Sequence, residues 1–393
     1  MAITIITTPN AFMAAYNQVP YTVSSNNTAQ PNFNFIVDVN QTSGTNNPLA
    51  RLKYPVQPSS AQLTFDVGNV LQNYVSYDFN NVIGVFGTNT NSRLKYFVQF
   101  RELYDVLTSG VYVPTLSGVL ASHPTTPSAS SFNFAGNGIF DFEDYIPTAY
   151  NSLNVSGFGY LSNAGATEKI ESNQEKFLYW FDPNTAVKFI QYTGATGNVV
   201  TAVTLTAKEH LFSIKAGKYA QDVLIAGGIS IIDTYNVSLL GATSNVLASR
   251  TFSLNTECSQ YPTVRLHWMN KLGGFDSFNF NKNTINAMDI ERKQFKAPLP
   301  IGYSKQDRLK TNYNTTINDK ISINSDWITE SESTLLEELA TSPVIYLERT
   351  PTEFIAVNIT NTSYEIKTYL TDRRLFNVTF DIEYTYSRYR QSL

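Results

Sequence analysis

Three histidines, one cysteine and scattered acidic groups are the side chains in which reaction chemistry would have to reside. His267 lies in Arg265-Leu266-His267-Trp268-Met269-Asn270, beside a glycine turn. A catalytic imidazole needs a nucleophile to activate and an acid to orient it. No Gly-x-Ser-x-Gly elbow occurs, so His267 reads as structural. His123 and His210 stand alone and read as surface or loop residues. Asp141, Glu143 and Asp144 form the densest acidic knot. Carboxylates this close can hold Ca²⁺, but EF-hand spacing is absent and aromatics interrupt the group, which reads as a solvated loop. Cys258, between Glu257 and Ser259, reads as a small buried residue. Glycoside hydrolysis needs two carboxylates about 5–10 Å apart, and nothing selects a pair among the 32 acids. Phosphate-binding glycine loops are absent. The expectation is a protein that is not an enzyme, with no cofactor and no metal.

The basic positions Arg373, Arg374, Arg388 and Arg390 interleave with Tyr384, Tyr386 and Tyr389. Such a cluster can stack on and pair with nucleic acid. Arg and Tyr are also enriched at protein interfaces, and a contact with a neighbouring subunit is the preferred reading. The net charge of −4 agrees with that preference, because nucleic-acid binders usually carry a basic excess.

The elements that must carry these groups are read from composition and period. Of 393 residues, 42% are hydrophobic, 13% aromatic and only 15% charged, with uncharged polar residues filling the difference. This is enough apolar material for a substantial core. A single cysteine rules out an intrachain disulfide framework. Met1–Asn10 lacks the basic and long apolar regions of a secretory signal. The longest apolar run, Val223–Ile232, is half the length of a membrane span and reads as a buried strand or strand pair.

Phe33, Phe35, Val37 and Val39 alternate with mostly polar neighbours, as in a half-buried strand. Asp66 is placed to cap a helical turn over Gly68–Val75. Gly110–Gly165 is rich in Ser, Thr, Pro and Gly and reads as a long excursion. Its aromatics Phe132, Phe134, Phe140, Phe142, Tyr145 and Tyr150 point to docking rather than a free linker. Thr329-Glu330-Ser331-Glu332 is a capping box, and Leu335, Leu336 and Leu339 give the following helix one apolar face. Phe376, Val378, Phe380, Ile382 and Tyr384 alternate as the clearest strand in the chain.

The resulting fold class is mainly β: two β-sandwich domains, fibronectin III-like or jelly-roll-like, plus a mixed α+β C-terminal domain. The expected divisions are a first sandwich over 1–109, an extended docking segment over 110–188 and a second sandwich over 189–283. A C-terminal domain over 284–393 follows, with its helix near 330–341.

Residues 265–278 form a pattern, Trp268-x-Asn270-x-x-Gly273-Gly274-x-Asp276-x-Phe278, with Phe275 inside it. It resembles a motif of virion proteins of tailed bacteriophages, notably those infecting Bacteroidota and their crAss-like relatives. The early stretch 33–75 and the ending around Trp327 and Leu375–Ser387 resemble parts of the same proteins. The resemblance implies a structural protein of the tail, neck or baseplate that forms a homo-oligomeric ring with other virion proteins in the virion, assembled in the bacterial cytoplasm. Trp268, Asn270, Gly273, Gly274, Phe275, Asp276 and Phe278 would build its scaffold. Trp327, Arg373, Arg374, Tyr386 and Arg388 would serve interfaces. Physically, Gly273-Gly274 permits a tight turn, Trp268 supplies an anchor, and Asp276 is placed to accept turn amides. Alternatives are a receptor- or glycan-binding tail protein that uses Trp180 or Trp327, and a double-jelly-roll capsid protein. No membrane partner is expected.

Overall fold

A computed structural model describes residues 3–9, 13–16, 18–41, 48–57, 60–79, 85–129, 159–182, 187–205, 210–255, 260–298, 301–364 and 377–389. The chain is mainly β and folds into several largely antiparallel sheets. The acidic knot Asp141–Asp144, the aromatics Phe132–Tyr150, and Cys258, Arg373, Arg374 and Arg390 lie outside the described residues.

The first third contains β1 (Ile3–Thr7), β2 (Met13–Ala14), β3 (Pro20–Ser25), β4 (Asn34–Asn40), β5 (Ala50–Pro55) and β6 (Gln62–Asp66). A short helix, α1 (Gly68–Leu71), precedes β7 (Phe86–Asn89), β8 (Arg93–Thr108), β9 (Val111–Leu116) and β10 (Ala121–Ala129). The sheet β1-β3-β6 faces the sheet β2-β10-β8-β4-β5, with β9 paired to β8. Between them lie Tyr21, Val23, Phe35, Val37, Phe65 and Phe100, a sandwich core in which Tyr21 stacks on Phe65 at 5.7 Å. Asp66 accepts from the Gly68 amide at 2.8 Å, but the N-cap of α1 is Val67, without a side-chain cap, and the expected turn ends as α-helix at Leu71.

Two more expectations change here. Strand β4 is buried on both faces, not one. Its Asp38 is made tolerable there by Arg51 at 2.6 Å and Arg101 at 2.9 Å from the flanking strands. The excursion expected from Gly110 begins instead as ordered sheet. Ser109 and Gly110 both have positive φ, 51° and 83°, which is the two-residue turn that twisted hairpins favour.

The second sandwich contains β11 (Thr167–Ile170), β12 (Phe177–Asp182), β13 (Val187–Thr193), β14 (Asn198–Thr204) and β15 (His210–Lys215). Helix α2 (Lys218–Ala226), β16 (Thr234–Leu240) and β17 (Val246–Leu254) complete it. The sheet β11-β17-β16-β13-β14 packs on β12-β15-β7 around Trp180, Ile190, Tyr192, Phe212, Tyr235 and Phe252. Strand β7 comes from the segment assigned to the first domain, and β11 and β12 come from the segment assigned to docking. Non-local edge pairing, which local composition does not encode, draws all three into this unit. The run Val223–Ile232 is the end of α2 followed by a turn, not a strand.

The C-terminal unit contains β18 (Val264–Met269), β19 (Phe275–Phe280), β20 (Ile285–Lys296) and β21 (Lys310–Asn324). Helix α3 (Glu330–Thr341), β22 (Ile345–Thr350), β23 (Glu353–Ile359), β24 (Thr379–Tyr384) and β25 (Arg388–Tyr389) follow. One sheet runs β19-β18-β22-β23-β24-β21-β20, with β25 also paired to β21. The hairpin β18–β19, expected in the second sandwich, therefore belongs to this sheet. Leu336 and Leu339 of α3 pack with Leu266, Trp268, Ile323 and Phe380. The predicted capping box is formed: Thr329 Oγ1 accepts from the Glu332 amide at 3.3 Å, and Glu332 accepts from the Thr329 amide at 2.8 Å.

These contacts rank two substitutions. Thr329→Ala removes the cap and is expected to cost about 1 kcal/mol. Leu336→Ala opens a cavity beneath α3 and is expected to cost about 2–5 kcal/mol. Urea denaturation of both variants checks the order; equal losses would contradict it.

Candidate functional site

The motif residues 265–278 form the hairpin β18–β19 at the seam between the second sandwich and the C-terminal sheet. Gly273 has φ 85°, a conformation that a glycine adopts without strain. Gly274 is required for another reason: a Cβ there would collide with the Leu161 carbonyl. Asn270 organises the turn. Its side-chain oxygen accepts from the Leu272 and Gly274 amides, each at 3.0 Å. Its amide nitrogen donates to the Leu161 carbonyl at 2.8 Å and to Asp276 at 2.9 Å. The turn role expected of Asp276 thus falls to Asn270. Asp276, fully buried, instead accepts from Ser162 Oγ and from the Asn163 amide at 3.2 Å, which ties the preceding unit to the hairpin.

Around this turn, buried charges meet in two connected groups. Lys176 Nζ, fully buried, lies 3.0 Å from Glu168 and 3.4 Å from Asp276. Arg250 bonds the Ala164 and Gly165 carbonyls. In the second group Arg265 donates to Asn279 at 2.6 Å and to Ser277 at 2.7 Å, and its Nε lies 3.4 Å from Glu348. His267 Nε2 and Glu348 are 2.7 Å apart. Burial and the cations Arg265 and Lys176 hold the His267 imidazole well below its ordinary pKa. The ring is therefore held neutral, with its Nε2 in hydrogen-bond contact with Glu348. Phe79, Phe177 and Phe354 pack about the same ring. The arrangement balances charge and fixes register.

Burial also pushes the carboxyls of Glu175, Glu338 and Glu348 up to about 7. For Glu348, Arg265 and the Glu175 amide pull the other way. Glu338 is further raised by the Asp276 charge and lowered by Lys271 and Asn163. Glu175 accepts from the Gly217 amide at 2.8 Å and the Tyr219 amide at 3.2 Å, which caps α2 from outside the helix.

An open polar groove of about 730 Å³ lies at the mouth of the seam, with Glu171, Asn173, Tyr261, Arg265, Glu348 and Arg349 on its walls. Among the described residues no group of His, Cys, Asp and Glu is arranged to hold a metal ion. Among the described residues no helix is long and apolar enough to cross a membrane.

The sequence-selected residues thus divide. Trp268, Asn270, Gly273, Gly274, Phe275 and Asp276 are interior scaffold, and Phe278 packs at the edge of the α3 core. Trp327 and Tyr386 face solvent, 63% and 74% exposed. Arg388 lies on the surface, paired with Asp319 at 2.5 Å. Trp180 is fully buried and stacks on Phe212, so it is removed as a sugar platform. Sequence reasoning missed the two hairpin ribbons. The tip of β8–β9 exposes Val106, Val111 and Val113, with Leu107 at 59% and Tyr112 at 58%. Leu107 pairs across with Tyr112, and Val106 with Val113, so both ribbon faces are apolar. All twelve residues of β20 are exposed. That no second layer covers these ribbons depends on the tertiary structure.

Removing Asn270 orphans two buried turn amides, so Asn270→Ala is expected to cost about 3 kcal/mol in urea denaturation. A loss below about 1 kcal/mol would refute the turn role. The three raised carboxyls bind protons more tightly in the folded chain than in the unfolded one, whose value is near 4.5. Their contribution is therefore full below about pH 4.5 and is lost as pH rises through about 7. Glu338→Gln removes one such group and should flatten stability against pH across that window. An unchanged slope would argue against the shift.

No family model matches the chain, and no curated protein does. Among solved structures, trypsin-activated alpha-2-macroglobulin from Escherichia coli aligns with 84% of this chain at 8% identity, with a TM-score of 0.17. The alignment covers 20% of that protein's length, and a superposition this loose carries no argument about fold or function.

Proposed function

We propose that this chain is a structural protein of a tailed-bacteriophage virion, placed in the tail, neck or baseplate, and that it works by assembly rather than catalysis. The observation that carries assembly is the pair of ribbons, β8–β9 and β20–β21, that leave their sheets with apolar side chains exposed. A two-stranded ribbon is marginal in water by itself, and contiguous exposed apolar surface marks a binding site. Low charge supports the same reading, since fewer ions must be desolvated when a face is covered. The virion assignment rests on the 265–278 motif and its resemblance to phage proteins. In this reading the partners are further copies of the chain in a ring and other virion proteins.

A second reading, receptor or glycan binding by a tail protein, is favoured by the exposed indole of Trp327. A glycan array with the full chain and Trp327→Ala tests it: binding that the substitution abolishes would support glycan recognition.

Mass spectrometry and a density map of the intact particle test the first reading. The expected result is a symmetric ring of this chain outside the capsid shell. Absence from the particle would overturn the reading, and a copy number matching the capsid lattice would transfer it to the capsid alternative.

A further inference from the structure

We infer that the β20–β21 arm of one copy docks on the acidic face formed by α3 and Trp327 in a second copy, joining subunits head to tail. The inference deepens the assembly reading and rests on it.

The arm is unlike the rest of the chain in charge. Residues 291–310 hold Arg292, Lys293, Lys296, Lys305, Arg308 and Lys310 against Glu291 and Asp307, a net +4. The whole chain is −4, so the residues outside 291–310 sum to −8. The arm also carries apolar contact surface: Phe295, Ile301, Tyr303 and Tyr313 are exposed, and the Phe295 and Tyr313 rings lie 6.4 Å apart. Strands β24 and β25 cover β21 only at Lys320–Asn324 and Thr316–Ile317. Towards the tip, the described pairing is that of β20 with β21 alone.

The complementary surface is α3. Its sequence, Glu330 to Thr341, contains four glutamates and no basic residue. Glu337 is exposed and Glu330, one helical repeat before it, half-buried, while Glu338 turns inward to Asn163 and Lys271 and Asp326 pairs with Lys282 at 3.1 Å. The exposed Trp327 stands at the start of this face. Cations with aromatics on the arm therefore match carboxyls with an indole on α3, the residue types that interfaces use.

Geometry excludes docking within one chain. Trp327 follows the base of the arm by three residues, because β21 ends at Asn324. The tip lies at the far end of β20, twelve residues or about 40 Å away at 3.3 Å per residue. Helix α3, twelve residues at 1.5 Å each, spans about 18 Å. Three connecting residues add at most about 11 Å. The tip therefore needs the α3 of another copy. Such a contact is heterologous, and repetition closes a ring or extends a filament.

The test uses the full chain in three variants, with folding checked by circular dichroism. The first reverses the arm (Lys293→Glu, Lys296→Glu, Arg308→Glu), the second reverses the acceptor (Glu330→Lys, Glu337→Lys), and the third carries both sets. Light scattering after size exclusion reads mass at low and high salt. The expected result is an oligomer for the unaltered chain that dissociates as salt rises. Each single-set variant should be a monomer, and the doubly reversed chain should associate again. A monomeric unaltered chain at every concentration would overturn the inference, as would an oligomer indifferent to arm reversal or no recovery in the third variant. Binding of duplex DNA lost on arm reversal, with no self-association, would reassign the arm to nucleic acid. A particle map showing a ring whose arms seat on a different protein would sink this inference while leaving the virion reading intact.

Discussion

The buried charges at the seam between the second sandwich and the C-terminal sheet constrain everything around them. Lys176, Glu168, Asp276, Arg265 and Glu348 are all removed from water, and each is tolerable only while its partners stay in place. Those partners come from β11, β17, β18, β19, β22 and the connection before β12. Two units that could otherwise slide on an apolar face are thereby locked in one register. The same seam holds an aromatic cluster in which Phe79 stacks on Tyr346 at 4.2 Å and touches Phe275 at 4.7 Å. Apolar contact supplies attraction there, and the ion network supplies direction.

The chain threads back and forth across its own length to make this possible. Strand β7 leaves the first third to complete the second sandwich, and Phe79 on the way enters the seam. Such long-range pairing ties the first third of the chain into the second sandwich. The β20–β21 ribbon grows from a sheet whose other face is filled by α3, so arm and acceptor face are held by a single core.

The scarcity of charge acquires a different meaning in this setting. Uncharged polar residues stand where charge would otherwise be, and Asn, Thr, Ser and Tyr hydrogen-bond without the desolvation cost of ions. That composition suits a part whose surfaces are covered by neighbours.

Several features were legible in the sequence because their causes are local. The capping box at Thr329 acts over three residues, and the alternation that buries Phe380 and Ile382 follows from the period of a strand. The tight turn at Gly273 follows from backbone sterics alone. The tertiary structure decided what depends on residues far apart. Helix α2 carries no side-chain cap of its own; the cap is Glu175, 42 residues before Gly217, so Val223–Ile232 resembles a strand until that partner is seen. Asn270 takes the turn role expected of Asp276, whose carboxylate accepts instead from the arriving Ser162–Asn163 segment. Trp180 and Trp327 were both candidate sugar platforms in the sequence, yet one is fully buried and the other faces water. Which of them is covered depends on the second layer of sheet, and only the folded chain supplies that layer.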